Sequence, residues 1–296
     1  MKIKKITKNT FLKKIYLCVE KFLSIIPDSI YLKFLYRIRM GKKLNLKNPV
    51  TFNEKLNWLK INNRKSVFTD MVDKFAVKSI VASELGKEYI VPTLGVWDRF
   101  EDIDFDELPK RFVLKCTHDS GSVFVCRNKD KLDKNKLKKK FNAALKRNFY
   151  WKGREWPYKN VRPRIFAEEY IEDKNNPNLS VYKFFCFNGK PKIIQTIQND
   201  KQPNETIDYF DCQWNLLDLR QNFPNSTKPL SKPEKLDEML EIVSRLSGNI
   251  PFLRVDLYDV NGKIMFSEFT FFTDAGAEPF DPEYWDIKLG KLLKIK

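Results

Sequence analysis

Apolar positions recur at helical spacing along the first half of this 296-residue chain and alternate at strand spacing in much of the second. Phe11, Ile15, Leu17, Val19, Phe22, Leu23, Ile25 and Ile26, interrupted by Lys13, Lys14 and Lys21, predict a basic amphipathic arm. The run is well short of the roughly 20 apolar residues that span a bilayer. Pro27-Asp28 opens a second helix bearing Ile30, Leu32, Leu35 and Ile38. Either these helices pack on the main domain as a lobe, or they lie against a membrane surface or a glycan. Thr51 with Glu54 has capping-box spacing for a helix through Trp58 and Leu59. Residues 70–85 predict a helix stopped by Gly86. Tyr89–Val91 and Phe112–Leu114 predict short strands, and residues 133–149 a basic helix with Leu137, Phe141, Leu145 and Phe149 on its core stripe. Two hairpins follow, 182–197 turning at Asn188-Gly189 and 253–269 turning at Asn261-Gly262, with a helix near 233–246 between them. The pattern is that of an α+β fold with two facing lobes. The expected divisions are a helical extension over 1–48, an N-terminal lobe over 49–110, a central lobe over 111–180 and a C-terminal lobe over 181–296.

Composition adds a core-forming content of 42% hydrophobic and 14% aromatic residues, which excludes global disorder. One histidine and five cysteines without a C-x-x-C pair argue against a Cys/His zinc site and for reduced thiols in a cytoplasmic protein. The net charge of +17 is concentrated. Residues 1–48 hold thirteen Lys and Arg against two acids, and residues 127–154 twelve against two. Two local polyanion contacts are therefore expected, not a uniformly basic surface. Aromatics interleave the cations of 146–158 (KRNFYWKGREWPY), as stacking platforms for nucleic acid would. That reading is kept as an alternative, but no nucleic-acid partner is expected, because the charge is local and no known nucleic-acid motif is present.

Three motifs carry chemistry. Lys115 ends a strand and precedes the small-residue loop His118-Asp-Ser120-Gly121-Ser122. A fixed cation followed by exposed backbone N–H groups suits a triphosphate, although such a loop in isolation is usually a hairpin turn. His118, the lone histidine, is expected to bond phosphate or the loop and not to act as a base. Phe166-Ala-Glu168-Glu169-Tyr170-Ile171 puts paired acids in an apolar strand, where donors such as an adenine amine or ribose hydroxyls would satisfy them; an edge strand with a wet face is the plainer reading. Arg254-Val-Asp256 faces Glu268-Phe-Thr270 across the last hairpin. Pairing from the Asn261-Gly262 turn sets Asp256 near Phe266 or Ser267, with Glu268 one step away. Two carboxylates so close repel unless a cation sits between them. Mg²⁺ held by carboxylates and nucleotide phosphates fits, and Arg254 would stabilise an oxyanion or acyl phosphate. The plainer reading is a surface hairpin with unrelated acids.

From about Asn48 to Trp285 the sequence resembles the TupA-like ATP-grasp family of bacterial surface-polysaccharide loci, often labelled glycosyltransferases. The matching segments are NPVTFNEKL at 48–56, Asp73-Lys74-Phe75 with Lys78, Pro92-Thr-Leu-Gly95-Val, the Lys115 loop, Glu168-Glu169-Tyr170, Tyr182-Lys183-Phe184 with Asn188-Gly189, and the RVD and SEFTF strands. The resemblance implies an ATP-grasp fold gripping ATP between two lobes. It assigns Lys78 and Lys115 to phosphates, Glu168 and the Glu169–Ile171 backbone to adenine, Lys183 to a place over the nucleotide, and Arg254 and Lys115 to catalysis. Asp256 and Glu268 would ligate Mg²⁺ or Mn²⁺, with Thr270 standing where many members have Asn, and Asp274 as a substitute. The implied reaction joins a carboxylate (a uronic acid or amino acid) to an amine acceptor through an acyl phosphate, at the inner face of the membrane on a lipid-linked glycan or in the cytoplasm. A glycosyltransferase using a sugar nucleotide is the rival reading.

Overall fold

The computed structural model describes residues 25–174 and 179–295, so the arm before residue 25 lies outside the described residues. Helix α1 (Asp28–Met40) begins after Pro27, as expected, and ends at Gly41, whose left-handed backbone (φ 70°) returns its N–H to Arg37 O. It buries Leu32 and Tyr36 but leaves Ile30, Phe34 and Ile38 exposed. The expected apolar stripe is thus split between core and solvent.

Helix α2 (Phe52–Asn62) has the full capping box. Thr51 accepts from the Glu54 N–H while the Glu54 carboxylate accepts from Thr51 N–H. The helix expected over 70–85 is two, α3 (Val67–Val72) and α4 (Ala76–Leu85). Asp73 breaks it, because its Oδ1 accepts from the N–H groups of Phe75 and Ala76 and so starts a new helix. Residues 89–91 are not a strand either: a 3₁₀ turn occupies Lys87–Tyr89, and the strand begins at Thr93.

One antiparallel sheet runs, in spatial order, β1 (Thr93–Trp97), β4 (Ile165–Glu169), β2 (Phe112–Cys116), β3 (Val123–Cys126). Period-2 alternation sends Phe112, Leu114, Cys116, Ile165 and Ala167 into a core with Leu137, Phe141 and Ala144 of α5 (Lys134–Leu145). Lys115, Phe166 and Glu168 therefore face the other way. The basic helix stops short of residue 149, and Tyr150–Gly153 form a separate turn, α6. The aromatics of this stretch meet one another edge-on, Phe149 with Tyr158 at 4.9 Å and Tyr150 with Trp151 at 4.8 Å, and Tyr150 and Tyr158 are buried. These two buried rings serve packing and are not available as the stacking platforms that the nucleic-acid alternative would need.

A second antiparallel sheet runs β7 (Thr206–Phe210), β6 (Lys190–Gln198), β5 (Ser180–Phe187), β8 (Phe252–Val260), β9 (Lys263–Thr270). Both hairpin turns are where the sequence puts them, with left-handed backbones at Asn188 (φ 50°), Gly189 (φ 78°), Asn261 (φ 53°) and Gly262 (φ 74°). Leu253, Val255 and Leu257 join the larger core with Met239, Ile242, Val243 and Leu246 of α7 (Leu236–Ser247). On the opposite face Phe185, Phe187 and Phe252 pack with Phe52 of α2, the Phe52–Phe252 rings meeting edge-on at 4.9 Å. The rest of that face carries polar side chains. The C-terminal helix α8 (Tyr284–Leu292) closes on α2, where Asp286 Oδ1 accepts from Asn53 N–H.

Candidate active site

The polar face of the first sheet centres on Glu168. Its two carboxylate oxygens meet Lys78 Nζ and Lys115 Nζ, each at 2.5 Å. Burial alone would raise the Glu168 pKa, but Lys115 and Lys78 together hold it below the usual range. For Lys78 burial wins and its pKa falls, even with Glu168 adjacent. For Lys115 burial works in the same direction, but the carboxylates facing it outweigh burial and raise the pKa. Lys78 is further fixed by Val91 O at 2.7 Å and Thr93 Oγ1 at 2.9 Å. Lys115 has a single ion-pair partner among the described residues, so of the two it is the cation better able to turn to a phosphate.

On the second sheet one register row crosses all five strands. Glu268, Asp256, Lys183, Gln195 and Tyr209 lie side by side on the site face. The simple pairing from the turn put Glu268 one step from Asp256. Instead the two are direct partners, because a bulge between Asp256 and Leu257 inserts Ser267 into β9 and advances the register by one residue. Arg254 pairs with Thr270 in the next row. Its guanidinium grips Asp256 with two hydrogen bonds, Nε–Oδ1 at 2.7 Å and Nη2–Oδ2 at 2.8 Å, and reaches Glu268 Oε1 at 3.3 Å. Lys183 Nζ stands 3.9 Å from Asp256. Burial raises the Asp256 pKa despite these cations, whereas at Glu268 Lys74, Arg254 and Lys183 outweigh burial and lower it.

Lys74, part of the matching segment but not singled out for a role, proves to join the two sheets. Its backbone N–H donates to Thr117 O at 3.1 Å, its Nζ donates to Asp119 O at 2.7 Å, and the same Nζ lies 3.8 Å from Glu268. Only the resemblance around Asp73-Lys74-Phe75 hinted at it. In the loop after β2, Ser120 and Gly121 are exposed, and Gly121 has φ 96°. Ser122 is buried and donates to Asp119 Oδ2, with Arg147 Nη2 at 3.2 Å from its Oγ. His118 is buried too. Its Nε2–H donates to Ala144 O of α5 at 3.1 Å, which packs the ring against that helix, and burial lowers its pKa. The loop tip that can approach a ligand is Ser120-Gly121.

Beyond Glu168 the chain leaves the strand at exposed Glu169, whose N–H donates to Pro92 O at 3.1 Å. The Tyr170 ring lies under Arg111 and Arg127. Ile171 packs with Val91, Leu179, Tyr258, Val260 and Met265 in a small apolar cluster near the Asn261-Gly262 turn. At the other end, Asp274 accepts from Asn222 Nδ2 at 3.0 Å. The metal-type donors in the Asp256 row are therefore two carboxylates. Among the described residues no three His, Cys, Asp or Glu groups converge, and magnesium, which takes one or two carboxylates with phosphate oxygens and water, is compatible with such a pair.

A family model described as TupA-like ATPgrasp matches residues 54–294. The chain belongs to the TupA-like ATP-grasp family. Solved structures to which this TupA-like chain is similar include D-alanine–D-alanine ligase from Bacillus anthracis, at 15% identity over 75% of this chain and 59% of that one, with a TM-score of 0.37. The Helicobacter pylori D-alanine–D-alanine ligase overlaps at 13% identity over 82% of this chain and 68% of that one, TM-score 0.43. The biotin carboxylase domain of Hydrogenobacter thermophilus 2-oxoglutarate carboxylase does so at 15% identity over 76% and 46%, TM-score 0.44. The TupA-like chain thus spans 59% of the length of the first of these. No curated protein sequence is matched.

Proposed function

We propose that this chain is an ATP-dependent carboxylate–amine ligase working through an acyl phosphate. The observation that carries the reading is the charge arrangement of the cleft. Lys74, Lys78, Lys115, Lys183 and Arg254 ion-pair with Glu168, Asp256 and Glu268, a set of direct pairs richer in cations than in acids, which suits the phosphates of a magnesium–nucleotide complex. Lys115 and Lys78 would bind phosphates, with the Ser120–Gly121 backbone over them; the apolar group around Ile171 and Met265 would take adenine. Asp256 and Glu268, with Thr270 or Asp274 as a third oxygen, would hold Mg²⁺ or Mn²⁺, which neutralises charge on the phosphates when bound. A substrate carboxylate attacks the γ-phosphorus, ADP leaves, and the acyl phosphate is held at Arg254. An amine then attacks the acyl carbon and phosphate departs. The family resemblance favours a uronic acid of a bacterial surface polysaccharide as the carboxylate.

A sugar-nucleotide transferase would need a different acid set. The spacing Asp102-Ile-Asp104-Phe-Asp106 could supply one, but Arg99 chelates Asp102 in a fork, and Ile103 and Phe105 are core residues. Thermal-shift and calorimetric titration with ATP–Mg²⁺ and with UDP-sugars separates the two. Stabilisation by ATP that requires the metal is expected; binding of a UDP-sugar with silence towards ATP would reverse the assignment.

Peripheral membrane contact also belongs to the proposal. Among the described residues no helix is long and apolar enough to cross a membrane. Helix α1, however, exposes Ile30, Phe34 and Ile38 at 58%, 64% and 64%, with Lys33 and Arg37 exposed beside them. That apolar stripe flanked by cations suits an anionic lipid surface. The protein is expected to float with vesicles containing phosphatidylglycerol and not with neutral ones, and F34E/I38E to lose flotation; equal flotation of that variant would remove the stripe from the account.

A further inference from the structure

The loop end of the first sheet carries a half-buried arginine, Arg164, that the proposed reaction does not use. Strands β2 and β4 pair Lys115 with Phe166 and Cys116 with Ile165. The pairing runs one residue further. Thr117 N–H donates to Arg164 O at 3.0 Å, and Arg164 N–H donates to Thr117 Oγ1 at 3.2 Å. Period-2 alternation therefore puts Arg164 on the face that carries Phe166 and Glu168. Its guanidinium lies over the Phe75 ring, 5.1 Å from the centroid, and Nη2 donates to Asp73 Oδ2 at 3.0 Å.

These contacts close a ring. Asp73 Oδ1 accepts from the N–H groups of Phe75 and Ala76, so the carboxylate caps α4 with one oxygen and holds Arg164 with the other. The next residue, Lys74, donates its N–H to Thr117 O at 3.1 Å. Thr117 is fully buried and spends every polar group, its hydroxyl donating to Arg162 O at 2.9 Å. The circuit thus runs from the Arg164 side chain to Asp73, along the peptide to Lys74, across to Thr117 and back to Arg164. From this anchor Lys74 Nζ reaches Asp119 O at 2.7 Å and stands 3.8 Å from Glu268. Burial works to raise the Glu268 pKa, and of the cations that overcome it Lys74 is the strongest. The clamp has a cost, since Arg164 Nε is buried with no acceptor among the described residues. An orphaned buried donor is destabilising, so stability alone would not select this arrangement.

We infer that Arg164 is a positioning residue: through Asp73 and Thr117 it fixes Lys74 between the loop after β2 and Glu268, and so sets the cation affinity of the Asp256–Glu268 pair. The inference rests on the ligase reading for the role of that pair, and on the hydrogen-bonded ring for the role of Arg164. Lys74 and a divalent cation compete for the same carboxylate. With the clamp broken, Lys74 is free to leave Glu268. The pair then binds a cation more tightly, and the loop loses the ammonium held at Asp119 O.

The test is Mn²⁺ binding, followed by electron paramagnetic resonance without nucleotide, in wild type, R164Q, R164K, K74M and R164Q/K74M. K74M and R164Q are each expected to tighten Mn²⁺ binding by about fivefold. The double variant should go no further than K74M, because Arg164 acts through Lys74. R164K, which keeps a cation for Asp73, should return most of the wild-type value. Amide hydrogen exchange of the metal-free proteins gives a second readout. Residues 118–122 should exchange faster in R164Q and K74M alike, again without further increase in the double variant. Asp73→Asn breaks the same clamp while keeping the Oδ1 cap on α4, and repeats the test if R164Q does not fold. Unchanged Mn²⁺ affinity and loop exchange in R164Q, or single effects that add in the double variant, overturn the inference; Arg164 would then only brace the fold and its loss would lower the melting temperature alone. Failure of wild type to take up Mn²⁺ would instead count against the ligase reading, and the exchange data would still decide whether Arg164 positions Lys74.

Discussion

Asp256→Asn is expected to reduce ATP turnover about a thousandfold while leaving the protein folded. The side chain keeps its shape but loses the charge that would share a cation with Glu268 across the β8–β9 pair. Loss of about 4 kcal/mol of charge stabilisation at a phosphoryl-transfer centre corresponds to about three decades in rate. The stability cost is smaller. Arg254 loses its two-pronged partner but keeps Glu268 at 3.3 Å, and the acid removed is one that burial already disfavours. A loss of about 1–2 kcal/mol in urea unfolding is the corresponding figure. ADP release measured across a magnesium titration checks both statements. A variant retaining a tenth of wild-type turnover at saturating metal would exclude Asp256 as a ligand.

Glu168→Ala has its largest effect on stability. It strips the counter-charge from two lysines whose ammonium groups meet the same carboxylate at 2.5 Å. Removing one member of a buried ionic cluster typically costs about 3–5 kcal/mol, because the remaining charge is left uncompensated and here the two remaining charges repel. Lys78 cannot swing out, being bonded to Val91 O and Thr93 Oγ1. Denaturant unfolding should therefore show a drop of about 3–5 kcal/mol, partly restored by adding Lys78→Met, which removes the repulsion. A loss below about 1 kcal/mol would mean that solvent screens the cluster far better than its burial implies.

Much of this was legible from local chemistry. The Thr51–Glu54 box, the two Asn-Gly turns and the strands alternating around Lys115 and Glu168 each depend on neighbours within a few residues, and each formed as read. The misreadings came where a side chain competes with the backbone or where partners are far apart. Asp73 splits a helix that apolar spacing alone makes continuous. Ser267 shifts the register by one, and period-2 counting from a turn has no means of locating a bulge. The aromatics near residue 150 became core because the structure folds them onto each other, a fact that interleaved charges conceal.

Lys74 has a consequence for thermodynamic linkage. It is tied to the loop after β2 at Thr117 O and Asp119 O, and its ammonium also leans on Glu268 of the opposite sheet. A cation bound at Glu268 would compete with Lys74 for that carboxylate, so filling the carboxylate pair would change the electrostatic hold on the loop. By reciprocity, anything that shifts the loop must change cation affinity by the same factor. The glycine-tipped loop and the carboxylate hairpin, separated by about half the chain, would then respond together, with one lysine as the element that touches both.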